Sequence, residues 1–194
     1  MSFVRFAVTL LIPVWLAAAA AAAATPSLKA GAFEPPRQAP DFVLHGSDGG
    51  DLTLGRYRGK VVLLSFGFTH CPAVCPTTLA TLAQARSALG SAADRVQVVF
   101  VTVDPERDSP AQLKSYLAAF DAGFVGGTGK PEVLAAMRRN YGVVAEKVPV
   151  GDSYAVDHTS SIFLIDREGR LSALMPYGRD AKDFVHDVKL LLAK

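Results

Sequence analysis

The chain has 194 residues, half of them hydrophobic and a fifth charged, with a formal net charge of +2. That length suits one packed domain with extensions. So small a charge, with no cluster of Lys and Arg interleaved with aromatics, excludes a nucleic-acid footprint.

The first 24 residues stand apart from the rest. Arg5 precedes an apolar run from Phe6 to Leu16 and a tract of eight alanines, Ala17 to Ala24. A basic start, a short apolar core and small residues before a cut describe a secretory signal peptide. The competing reading is an uncleaved anchor. Phe6 to Ala24 gives 19 uncharged residues, close to the ~20 that a spanning helix needs. Either way residues 25–194 are expected outside the cytoplasm, on the periplasmic side of a bacterial inner membrane. No cysteine near residue 20 allows lipid attachment.

Residues 25–37 read as a proline-rich linker, with Pro26, Pro35 and Pro36 inside it, Pro40 just beyond and little periodicity. The globular domain is expected over 38–194. "DFVLHGSDGGDLTL" alternates around a glycine-rich turn and predicts a β-hairpin. "GKVVLLSFGF" is a continuous apolar run of strand length, the pattern of a central strand buried on both faces. Pro76 suits a first helical position, and "TTLATLAQARSAL" carries apolar residues at helical spacing.

"RVQVVFVTVD" predicts a second buried strand, ending in the loop "DPERDSP". Ser109-Pro110 opens a helix over "AQLKSYLAAF". After the glycine-rich "GFVGGTG", residues 131–141 predict another helix. "SSIFLIDREGRLSALMPYG" gives two strands around a turn at Glu168-Gly169, and "DAKDFVHDVKLLLA" closes as an amphipathic helix. Strands alternating with helices point to an α/β or α+β layered fold around one sheet.

The only two cysteines, Cys71 and Cys75, fall in "FGFTHCPAVCP", between a central strand and a helix. Sites in open α/β sheets are built at that crevice. A disulfide, a thiol redox pair, a metal site and ordinary packing all compete for the pair. A bridge closing so small a loop stabilises least, which counts against a structural staple. At i and i+4 around a helix start both sulfurs can face one side, and the helix dipole favours thiolate, the nucleophile and the metal ligand. Soft thiolates select Cu(I) and Zn, and a metal would need a third ligand.

Four histidines are available. His186 reads as a surface or half-buried helix residue, His45 as a solvated turn residue, and His70 as too close to Cys71 for both to ligate one ion. His158 precedes the strand "SIFLID". On spacing alone it is either a ligand or a hydrogen-bonded structural histidine.

"GFTHCPAVCP", "VTVDPERDSP", "FVGGTG" and "VDHTSSIFLID" come in the order and approximate spacing of the Sco/SenC family, which the chain resembles from about residue 38 to 194. Members are thioredoxin-like copper-binding proteins that help assemble the copper site of cytochrome c oxidase. The resemblance implies a thioredoxin-like α/β fold, a central mixed β-sheet flanked by helices with an N-terminal hairpin. It implies Cys71 and Cys75 as thiolate ligands and His158 as the imidazole ligand of one copper ion, Cu(I) or Cu(II). Its implied partners are the copper-site subunit of the oxidase and a thioredoxin-like reductant or a second copper chaperone. The alternative function is a thiol-disulfide reductase that uses Cys71 and Cys75 as a redox pair to keep oxidase cysteines reduced. A peroxidase is a further rival.

Ala73 stands where family members often carry an acidic or polar residue, so no side chain there can serve copper or docking. No proline immediately precedes the 162–165 strand, where thioredoxins keep a cis-proline, and this counts against general disulfide exchange. Asp104 and Asp157 are candidates for tuning the site from behind the ligands, or for plain loop capping.

Overall fold

A computed structural model describes residues 27–194. The expected signal peptide or anchor, residues 1–24, lies outside the described residues. No helix among those described is long and apolar enough to cross a membrane.

In chain order the elements are β1 (Gly31–Gln38), β2 (Val43–Gly46), β3 (Asp51–Thr53), β4 (Val61–Gly67), α1 (Val74–Ala88), β5 (Val96–Thr102) and α2 (Pro110–Ala118). There follow β6 (Val125–Thr128), α3 (Pro131–Tyr141), β7 (Ala145–Val150), β8 (Ser153–His158), β9 (Ile162–Ile165), β10 (Arg170–Met175) and α4 (Ala181–Leu192). Eight strands form one mixed sheet in the order β1-β10-β9-β4-β5-β6-β2-β3, and β7-β8 form a separate ribbon. The fold is thioredoxin-like, as the resemblance implies, with β2-β3 as the expected hairpin on one edge.

The two apolar runs occupy the centre. β4 and β5 pair in parallel, Val61 opposite Val96 through Gly67 opposite Thr102, and all fourteen of their residues are buried. Each large aliphatic or aromatic side chain buried there contributes ~1.5–3 kcal/mol relative to exposure. On one face of β4, Phe66 meets Tyr141 of α3 and Phe163 of β9 at ring distances of 5.9 Å. The opposite face carries Gly67 and Phe100, against which Cys75 of α1 and Tyr116 of α2 pack.

Helix boundaries follow local chemistry. Ser109 caps α2, accepting from Gln112 N–H at 3.2 Å with Pro110 behind it. α3 begins at Pro131 and ends at Gly142, whose φ of +70° suits glycine. α1 corrects the sequence reading. It starts at Val74, so Pro76 is its third residue, not its first. Proline is tolerated there because a first-turn N–H has no helical partner anyway.

One further reading is corrected, and one strand had gone unread. Residues 31–38 form β1, paired antiparallel to β10, so most of the expected linker belongs to the sheet. The strand is an edge with no buried residue, and its register breaks between Ala32 and Arg37, around Pro35 and Pro36. Edges and bulges are where a sheet accepts proline. The glycine-rich "GFVGGTG" contains β6, parallel to β5. Its glycines hide the strand pattern because neighbours fill their side-chain space. A Cβ on Gly126 would lie 2.8 Å from Leu113, and one on Gly127 would lie 2.6 Å from Leu52.

Candidate metal centre

The C-terminal end of β4 delivers the site. After Gly67 the chain turns through Thr69 and His70 to Cys71, and α1 begins three residues later. Cys75, one residue into α1, is 3 % exposed, while Cys71 is half-buried. The backbone N–H of Cys75, one of the orphan donors of the first helical turn, donates to Cys71 Sγ at 3.4 Å. Gly67 is needed for the close approach of Cys75: a Cβ there would lie 2.8 Å from its sulfur and 2.6 Å from the Phe100 ring.

The third group comes from the ribbon. His158 ends β8, and its Nε2 stands 3.6 Å from Cys75 Sγ. Its Nδ1 lies 2.9 Å from the Thr159 carbonyl. A carbonyl only accepts, so Nδ1 is the donor, and in the neutral imidazole Nε2 is the nitrogen whose lone pair faces the sulfurs. One ligand atom from each of Cys71, Cys75 and His158 lies within 4.8 Å of the other two, and no second such cluster occurs among the described residues. Cys71 and His158 open onto a cavity of about 250 Å³ walled by Phe68, Pro72, Val74 and Val156, with Cys75 buried behind them. Larger cavities, beside Tyr177 and Arg179 and beside Phe33 and Leu190, contain none of these groups.

Burial, more than the neighbouring Cys71 charge, pushes the Cys75 thiol far above its ordinary range, with the Phe68 backbone N–H opposing part of the effect. An unaccompanied thiolate at Cys75 is therefore unfavourable. The position suits a sulfur that gives up its proton when a cation takes its place. Two thiols and a bare imidazole nitrogen fit a soft or borderline transition-metal ion.

Behind the cysteines, Asp108 is fully buried and accepts from Thr69 N–H at 3.1 Å, from Thr69 Oγ1 at 2.6 Å and from Thr102 Oγ1 at 2.6 Å. It ties the cysteine loop to the end of β5. Nothing in the sequence singled it out from a turn former, although two aspartates four apart beside the site carried a signal. Arg107 and Tyr154 were also missed.

The other candidates separate from the cluster. His70 is exposed, with Nδ1 3.1 Å from Thr69 Oγ1. His45 is exposed on β2 and not in the turn, opposite Asp51 and Thr128. His186 on α4 pairs with Asp187 at 2.8 Å. Asp157 is exposed at the cavity mouth, and the partner of His158 Nδ1 is the Thr159 carbonyl, not a carboxylate. Asp104 is fully buried and acts at one remove, on Arg107 and Tyr154. Ala73 is the exposed residue before α1 and supplies no side-chain cap.

The family model described as SCO1/SenC matches residues 31–193. The chain belongs to the SCO1/SenC family. It is 36 % identical over 157 residues to the mouse mitochondrial protein SCO2 homolog, covering 79 % of this chain and 62 % of that protein. The chain spans 43–62 % of the length of this relative and of bovine and Arabidopsis ones. Among solved structures it resembles Bradyrhizobium japonicum ScoI with copper bound, at 39 % identity and a TM-score of 0.74, covering 79 % of this chain and 99 % of that one. BsSco, described as carrying a disulfide switch and as a member of the Sco family of cytochrome c oxidase assembly proteins, is 25 % identical. It aligns with a TM-score of 0.66 over 81 % of this chain and 95 % of its own.

Proposed function

We propose that this chain binds one copper ion through Cys71 Sγ, Cys75 Sγ and His158 Nε2 and carries it to the copper site of cytochrome c oxidase. The observation that carries the proposal is the convergence of two thiols and one bare imidazole nitrogen within 4.8 Å. The copper-bound ScoI structure and the oxidase-assembly family of BsSco support the choice of ion and destination. Copper supplies an ion that two thiolates hold as Cu(I) and that an added nitrogen donor makes room for as Cu(II). Cys75 loses its proton on binding, Cys71 takes the helix N–H, and Thr159 keeps the imidazole proton on Nδ1. Three protein ligands leave a position open, which delivery requires and a closed four-ligand structural zinc site does not offer.

The two free thiols also favour a second reading, a reductase for cysteines of the oxidase subunit. There the Cys71–Cys75 dithiol forms a Sγ–Sγ bond, and its two electrons and two protons reduce a disulfide of the target to two thiols. A thioredoxin-like reductant would restore the pair. Residues 1–24 as an export signal or anchor would place the domain in the periplasm, where both roles belong.

Copper titration of the reduced and the disulfide-oxidised protein tests the proposal. One tightly held ion per reduced chain, lost on oxidation, is expected. Equal affinity in both forms, or none in the reduced form, overturns it. Oxidase activity in cells lacking the chain separates delivery from reduction: added copper restores it if delivery is the role, and an added thiol reductant if reduction is.

A further inference from the structure

One loop sends three charged side chains to a single tyrosine of the ribbon that carries His158. Tyr154 OH donates to Asp104 Oδ1 at 2.8 Å and lies 3.4 Å from Glu106 Oε2. Arg107 Nη1 donates to the Tyr154 carbonyl at 3.1 Å, and its guanidinium lies 3.9 Å over the Tyr154 ring. On the ribbon itself, Lys147 stands 4.4 Å over the same ring and pairs with Glu106 at 2.7 Å. The fully buried Asp104 carboxylate also takes Arg107 Nε. A buried acceptor with two charge-assisted or hydroxyl donors is costly to strip of either one.

The chain of contacts runs on to the site. Arg107 lies 5.7 Å from the Phe68 ring, and Phe68 meets the His158 imidazole edge to face at 5.9 Å. Tyr154, Val156 and His158 alternate onto one face of β8. β8 pairs only with β7, outside the main sheet, and a lone two-stranded ribbon is marginal in water. Its base is tied by Thr159 N–H to the Val144 carbonyl at 3.0 Å. The Thr159 carbonyl fixes the tautomer and rotation of the imidazole, whereas the seating of the ribbon needs an outside hold.

We infer that Tyr154, gripped by Asp104 and Arg107, is a positioning residue that seats the β7-β8 ribbon so that His158 Nε2 faces the cysteine pair. The inference rests on the copper-site reading above. Tyr154 acts through the ribbon, so its loss affects whatever depends on the imidazole and spares what the sulfurs do alone.

The test compares the full reduced chain with Tyr154→Leu and Tyr154→Phe. One arm needs no metal: the nuclear Overhauser contact between the Phe68 and His158 rings in the apo protein. The other titrates Cu(II) and Cu(I) separately and records the imidazole nitrogen coupling in the Cu(II) electron paramagnetic resonance spectrum. Tyr154→Leu is expected to lose the ring-to-ring contact and to weaken Cu(II) binding about 10-fold or more. Cu(I), which two thiolates hold alone, should change less than about threefold. Tyr154→Phe keeps the ring between its two cations and should fall between the two. A Tyr154→Leu protein with the wild-type ring contact, nitrogen coupling and Cu(II) affinity overturns the inference. Equal loss of Cu(I) and Cu(II) with a collapsed melting transition does so too, since that is a general structural role. If the wild-type chain shows no nitrogen coupling, the copper-site reading fails, and the apo ring contact still decides whether the clamp seats His158.

Discussion

Replacing Asp108 by alanine removes the acceptor of three donors at once, and the structure fixes how much each should cost. Thr102 is fully buried, so its hydroxyl, 2.6 Å from the carboxylate, has nowhere else to go. A buried donor left unpaired costs ~1–3 kcal/mol, and about 2 applies here. The N–H and hydroxyl of the half-buried Thr69 can reach water in part, so about 1 kcal/mol each is expected. The sum is about 4 kcal/mol for Asp108→Ala. Asp108→Asn keeps the shape and one oxygen, for about 2 kcal/mol. At ~2–4 °C per kcal/mol for a chain of this size, the alanine variant should melt about 8–16 °C lower. Thermal and urea unfolding of the reduced protein measure this directly. Because Thr69 precedes Cys71 by two residues, the Cys71 thiol of Asp108→Ala should also alkylate faster than in the wild type. An alanine variant within about 1 kcal/mol of wild type would refute the claim that Asp108 ties down the cysteine loop.

Gly67→Ala forces a Cβ to within 2.6 Å of Phe100 and 2.8 Å of Cys75 Sγ, and overpacking of that kind costs ~1–3 kcal/mol. Lower stability together with faster alkylation of Cys75 is expected, and an unaffected variant would contradict the packing described. The Cys75 thiol is protonated at neutral pH because burial pushes it up. Metal uptake must therefore release its proton, together with any that Cys71 carries, and Cu(I) affinity should rise by at least about tenfold per pH unit through the neutral range. A pH-independent affinity would contradict this. The sign for stability is the reverse. The folded thiol titrates above the unfolded one, so its contribution is complete below pH ~8.5 and is lost as pH rises further, by up to ~1.4 kcal/mol per unit. Urea unfolding of the reduced apo protein at pH 8 and pH 10 should show that loss, and Cys75→Ser should lack it.

The central strands were legible because β4 and β5 are buried along their whole length, and an unbroken apolar run can only be accommodated there. Helices α2 and α3 announced themselves through Ser109-Pro110, Pro131 and Gly142. What stayed hidden had no side-chain pattern to read. β6 uses Gly126 and Gly127 so that Leu113 and Leu52 can close over them, and β1 is an exposed edge interrupted by Pro35 and Pro36. In the site, Cys71 and Cys75 were visible by their spacing. His158 needed the resemblance, because 83 residues separate it from Cys75 and only the fold brings them together. Asp104 and Asp157 looked equivalent in sequence. Burial separates them, as Asp104 is enclosed with Arg107 and Tyr154 while Asp157 faces solvent.

The most direct measurement on the copper site is a titration of reduced wild type and His158→Ala with Cu(II) and, separately, Cu(I), following the sulfur-to-Cu(II) charge-transfer band. Cys71 and Cys75 can hold Cu(I) nearly linearly without the imidazole, whereas Cu(II) needs added nitrogen or oxygen donors. The expected result is a severe loss of Cu(II) affinity and of the band in His158→Ala, a smaller loss of Cu(I), and a dithiol that still oxidises and reduces normally. An unchanged band with unchanged Cu(II) affinity would remove His158 from the site and leave Cys71 and Cys75 as a simple thiol redox pair.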